Sequence, residues 1–119
     1  MPREELASPP AIAPAGTRRP YWRALLESRW RARLREVTEL SLAYHTAASE
    51  PAGSDDRAAQ TLLNRAIAAR RELANVEEAL GRLAAGNFGA CEQCGAQIPA
   101  GLLTSTPEIR YCAHCDRLR

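Results

Sequence analysis

The chain has 119 residues, 45% hydrophobic and 25% charged, which is globular composition sufficient for one domain. Of the apolar residues 23 are Ala, with one Phe, two Trp and three Tyr for bulk, which argues against a thick core and for an elongated helical body with a small stapled module. All 16 basic residues are Arg, against 14 acids; a net charge of +2 is too small to imply a nucleic-acid partner.

No uncharged run approaches the ~18 residues of a membrane span, and Glu4 and Glu5 interrupt the place where a secretory signal has its apolar core. The protein is therefore read as soluble and cytoplasmic, where four Cys without an export signal argue against disulfides.

Residues 1–19, with Pro2, Pro9, Pro10 and Pro14 and no helical or strand period, read as a disordered Pro/Ala-rich tail. Residues 20–86 read as an antiparallel coiled-coil hairpin with its tip at 49–56, a mainly α fold. Pro20 suits an early helical position, and the first helix is predicted to run to about Ala48. Its seam is Leu26, Trp30, Arg33, Val37, Leu40, Tyr44 and Ala47; Arg33 breaks the apolar pattern, with Leu34 beside it able to take up the seam. After a break at Glu50-Pro51-Ala52-Gly53-Ser54, the second helix should start at Asp55 or Asp56. Its seam of Ala59, Leu62, Ala66, Ala69, Leu73, Val76, Leu80 and Leu83 holds the 3.5-residue period of a coiled coil. The short Pro/Gly turn requires the two helices to fold back on each other, and Gly86 and Asn87 stop the second. Asp55-Asp56 at its start reads first as a cap. Arg29, Arg31, Arg33 and Arg35 alternate around the first helix as a solvated surface, and Trp22 and Trp30 read as packing anchors bracing the hairpin base.

Residues 87–119 carry the strongest chemical motif. Cys91-x2-Cys94 is followed by 17 residues and then Cys112-x2-Cys115, and each CxxC turn can present two sulfurs to one metal. Gly95 permits the turn whose backbone N–H groups offset thiolate charge. The spacing predicts one structural Zn²⁺ in a four-cysteine finger, with a pair of redox CxxC motifs as the alternative. His114 lies between the last two Cys and is expected to point outward. Four bound sulfurs leave no position for a catalytic water, so an enzyme is not expected; the metal supplies folding energy that Phe88, Ile98, Leu102, Leu103, Ile109 and Tyr111 cannot.

The order of hairpin and finger, the run Phe88-Gly89-Ala90-Cys91-Glu92-Gln93-Cys94-Gly95-Ala96-Gln97-Ile98-Pro99, Pro107, and Cys112-Ala113-His114-Cys115 together resemble the DksA/TraR family over about Tyr21 to Cys115. Asp56-Arg57-Ala58-Ala59-Gln60 is similar to the second half of the family's DxxDxA tip signature. The resemblance implies a monomeric regulator that binds bacterial RNA polymerase. The hairpin enters the secondary channel, and a tip of Asp55, Asp56 and Ala58 reaches toward the active site to modulate promoter complexes. Membrane and sequence-specific DNA are not expected partners. The family's best-known member works with the alarmone ppGpp, and no alarmone site is legible in these residues.

Three features depart from the family pattern. Gly53 stands where the signature has its first Asp, with Asp55 and Glu50 as partial substitutes. Leu102 stands where the finger usually carries Arg. Four residues follow Cys115, so the C-terminal helix of longer members is expected to be missing. Two rival functions remain open at this point. A nucleic-acid-binding zinc-finger protein is favoured by the Arg content, but Arg110 is the lone base between Phe88 and Cys115 and there is no stacking platform. A thiol redox enzyme would need an exposed, low-pKa CxxC at a helix start.

Overall fold

Pro20 fits the first turn of a helix because its missing N–H has no intrahelical partner there, and the chain is helical from Arg19 onward. The structure, a computed structural model, describes residues 18–51 and 56–119. Helix α1 spans Arg19–Ala48 and α2 spans Asp56–Ala85, 30 residues each. Two short helices follow, α3 at Ala100–Ser105 and α4 at Ala113–Leu118. The fold is thus mainly α, and the described residues hold no strand beyond a single antiparallel bridge between Ala90 and Gln97. The expected tail at 1–19 lies outside the described residues except for Arg18 and Arg19, as do tip residues 52–55.

The chain divides into two compact units. In Ser28–Asn75, α1 and α2 pack antiparallel: Arg33 meets Glu72 while Arg70 reaches Ser41 further along. Val37 and Leu40 of α1 are buried with Ala66 and Ala69 of α2, and Leu62 and Leu73 pack against them. Alanine at two of these positions leaves room for the helix backbones to approach.

The expectation for Leu34 is corrected here. Leu34 is 38% exposed, whereas Arg33 itself occupies the seam, its side chain 30% exposed. Its Nη1 donates to Glu36 at 3.1 Å, and its Nε approaches Glu72 at 3.2 Å as an ion pair outside hydrogen-bonding alignment. An arginine can hold such a position because its aliphatic stem packs while the charged end escapes toward acids at the rim. Of the four arginines read as a solvated surface, Arg31 and Arg35 are exposed, whereas Arg29 and Arg33 are half-buried.

The other unit joins residues 18–27 with Val76–Arg119. Trp22, Leu26, Ile98, Leu103, Val76 and Pro107 are its largest fully buried side chains. Trp22 lies 5.4 Å from the Phe88 ring, centroid to centroid, so one predicted anchor does join the first helix to the segment after the second. Helix α2 ends where the sequence predicted. Gly86 takes φ +91°, its N–H bonds to the Leu83 carbonyl at 3.2 Å, and the Asn87 N–H returns to the Arg82 carbonyl at 3.0 Å. That pair of bonds is a Schellman stop, which needs the left-handed conformation glycine adopts without strain.

Candidate metal centre

The first cysteine arm is a tight turn set by backbone bonds. The Ile98 N–H donates to the Gly89 carbonyl at 2.7 Å, the Cys91 N–H to Ala96 at 2.8 Å, and the Gly95 N–H to Cys91 at 2.9 Å. Gly95 sits at φ +80°, so its place in the turn is the one the sequence assigned, although its N–H is spent on a carbonyl. The second arm begins α4. Cys112 is the N-cap residue, and its Sγ accepts from the Cys115 N–H at 3.4 Å. A backbone bond from the Glu92 N–H to the Arg110 carbonyl, 2.9 Å, ties the two arms together.

These turns bring Cys91, Cys94, Cys112 and Cys115 together, with all four sulfurs within 4.8 Å of one another. The Cys94 and Cys112 sulfurs are 3.8 Å apart, and none of the four is in a disulfide. A zinc ion bound at ~2.3 Å by four tetrahedral sulfurs would set them ~3.8 Å apart, so the donor set and its spacing fit a divalent metal. Cys91 and Cys115 are buried and Cys94 is exposed. His114 is exposed and outside the cluster, as expected.

Electrostatics point the same way. Burial would push the Cys91 thiol up, but backbone hydrogen bonds with Cys112, Cys94 and Gln93 and the side chain of Cys115 bring it down to about 6. Burial, followed by hydrogen bonds with Cys112, Cys94 and Cys91, pushes Cys115 up to about 12. The cluster thus gives up its first proton readily and its last with difficulty, because burial and the hydrogen bonds among the thiols favour the protonated form of Cys115, with the charge of Cys112 adding to them; a bound cation offsets that cost.

Beside the sulfurs lies a charge cluster that sequence reading missed. Arg82, at the end of α2, donates through Nη1 to Glu92 at 3.1 Å and through Nη2 to the carbonyls of Glu108 and Ile109 at 3.5 and 3.4 Å. Arg110 meets the other Glu92 oxygen through Nε at 3.2 Å and Nη2 at 3.1 Å, with Glu78 3.7 Å away. Hydrogen bonding with Arg110 holds the Glu92 carboxyl below its usual range, and burial lowers the Arg82 guanidinium against the pull of Glu92. Arg110, the finger's lone base, is therefore held by acids of its own chain.

Asp56 opens α2 and is exposed, as is Ala58. Asp55 and Gly53 lie outside the described residues, so the predicted tip is placed only in part. No helix among the described residues is long and apolar enough to cross a membrane.

Two long antiparallel helices followed by a segment carrying four clustered thiols define the structural class. The transcription factor DksA2 from Pseudomonas aeruginosa has this fold: the two structures match with a TM-score of 0.84 over 99% of this chain and 95% of that one. Sequence identity is 21%, so the likeness is one of fold. An uncharacterized protein of Aquifex aeolicus (strain VF5) is 43% identical over 54 residues, which is 45% of this chain. The matched region is 35% of that relative's length. No protein-family model matches the sequence.

Proposed function

We propose that this chain is a DksA/TraR-type regulator that binds bacterial RNA polymerase through the secondary channel, with the hairpin tip near the active site, and modulates promoter complexes. It holds one structural Zn²⁺ through Cys91, Cys94, Cys112 and Cys115, acts without catalysis of its own, and works as a cytoplasmic monomer. The observation that carries this reading is the fold match to DksA2 over 99% of the chain, joined to four sulfurs within 4.8 Å of one another. The FGxCxxCGxxIP run and the tip sequence Asp56-Arg57-Ala58 support it at the level of residues. A nucleic-acid-binding finger is disfavoured because Arg110 is engaged by Glu92 at 3.1 Å.

In this reading the finger is a seat and the tip is the effector. Asp56→Asn keeps a side-chain oxygen at the helix start and removes the charge, so folding changes by under ~1 kcal/mol. Any charge-dependent action near the polymerase's catalytic metal is lost. Transcription in vitro from a promoter with a short-lived open complex should therefore respond to the wild-type chain and not to Asp56→Asn, while both bind core polymerase equally. Gly53→Asp, which supplies the signature's first carboxylate, should strengthen the response. Full regulation by Asp56→Asn would show that the tip has no charge-based role and that the chain acts by occupying the channel.

A further inference from the structure

Residues 95–111 separate the two cysteine arms in the chain, and contacts that hold the arms in register favour a metal bridging them. Arg82 contacts both. Its Nη1 bonds Glu92, the residue after Cys91, at 3.1 Å, and its Nη2 faces the carbonyls of Glu108 and Ile109, which lead into Cys112, at 3.5 and 3.4 Å. The Arg82 side chain is only 12% exposed, its contacts with the two carbonyls are half-buried, and its bond to Glu92 lies at the surface. Arg110 completes the arrangement by clasping the remaining Glu92 oxygen from the second arm.

We propose that Arg82 is a positioning residue for the metal site: from the last turn of α2 it fixes the separation of the two cysteine arms and thereby raises metal affinity without ligating the ion. The planar fork of a guanidinium suits this task, because one edge of it serves a carboxylate while another serves two carbonyls. A lysine would keep the pairing with Glu92 and lose the simultaneous reach to the second arm. Residues that orient ligands from outside the coordination sphere commonly change metal affinity by about 10- to 100-fold when replaced. This inference rests on the reading of the four cysteines as a zinc site.

The test is zinc affinity of the full chain, measured by competition with a chromophoric chelator, together with the absorption spectrum of the Co²⁺-substituted protein. Arg82→Met keeps the aliphatic stem and should weaken zinc binding by about 10- to 100-fold. Arg82→Lys should fall between it and the wild type. The Co²⁺ spectrum of each loaded variant should remain that of a tetrahedral tetrathiolate, since no ligand has changed. Leu26→Ala is the control: it removes a fully buried side chain of the same unit and lies in neither arm. Zinc affinity of Arg82→Met within about twofold of wild type overturns the proposal, as does an equal loss in Leu26→Ala, which would assign the effect to general loosening. Should Arg82→Met fail to fold, Arg82→Lys decides, and wild-type affinity in that variant overturns the proposal. A wild-type chain that binds no metal overturns the zinc reading and this proposal together.

Discussion

Replacing Cys91 by Ser should abolish stoichiometric zinc and disorder the segment after Gly86, while much of the helicity of α1 and α2 survives. The reason is the small apolar content of that segment. Its fully or nearly buried side chains are Phe88, Ile98, Leu103 and Pro107, together with Cys91 and Cys115 themselves. A set this small cannot offset the ordering entropy of some thirty residues, at ~1–2 kcal/mol of backbone entropy each. Zinc bound by four thiolates supplies ~10–16 kcal/mol in comparable small modules, and Ser is a far poorer ligand than Cys. The α1–α2 seam, by contrast, includes Val37, Leu40, Ala66 and Ala69, none of which depends on the metal. Elemental analysis should give about one zinc per wild-type chain and close to none for the variant, with rapid proteolysis confined to the segment after Gly86. An equally protected segment in metal-free Cys91→Ser would contradict the account of how it is held.

The second large effect concerns Val76. It has no exposed surface, and no charged side chain is buried among the described residues to pair with a carboxylate. Val76→Asp therefore places an unpaired charge in an apolar contact and should cost ~3–5 kcal/mol. Ala74→Asp, two positions earlier on an exposed site of the same helix, should cost under ~1 kcal/mol. For a chain of this size the difference is a gap of more than ~10 °C in melting temperature at fixed zinc concentration. Equal melting temperatures for the two variants would mean that α2 turns a different face toward its neighbours.

The long helices were legible because their signals are local and repeated. Pro20 and Gly86 mark an entry and an exit, and the apolar period from Ala59 to Leu83 persists long enough to outweigh chance. The clustering of the four cysteines was equally legible, since two CxxC turns leave few other arrangements. Arg33 in the seam was not, because its place depends on Glu72 of the facing helix, a partner 39 positions away that no periodicity marks. Helices α3 and α4, six residues each, are too short to show a period; α4 is capped by a cysteine that reads more naturally as a ligand. The Arg82 cluster depends on three segments meeting, and its only trace in the sequence is that Glu92 and Arg110 each stand next to or near a cysteine.

Binding to core RNA polymerase, measured with the zinc-loaded chain and challenged by a factor known to occupy the secondary channel, bears most heavily on the proposed function. The expected result is a one-to-one complex that the competing factor dissolves, with no shift of promoter DNA in the absence of polymerase. Failure to bind polymerase, or binding that the competitor leaves untouched, would contradict it.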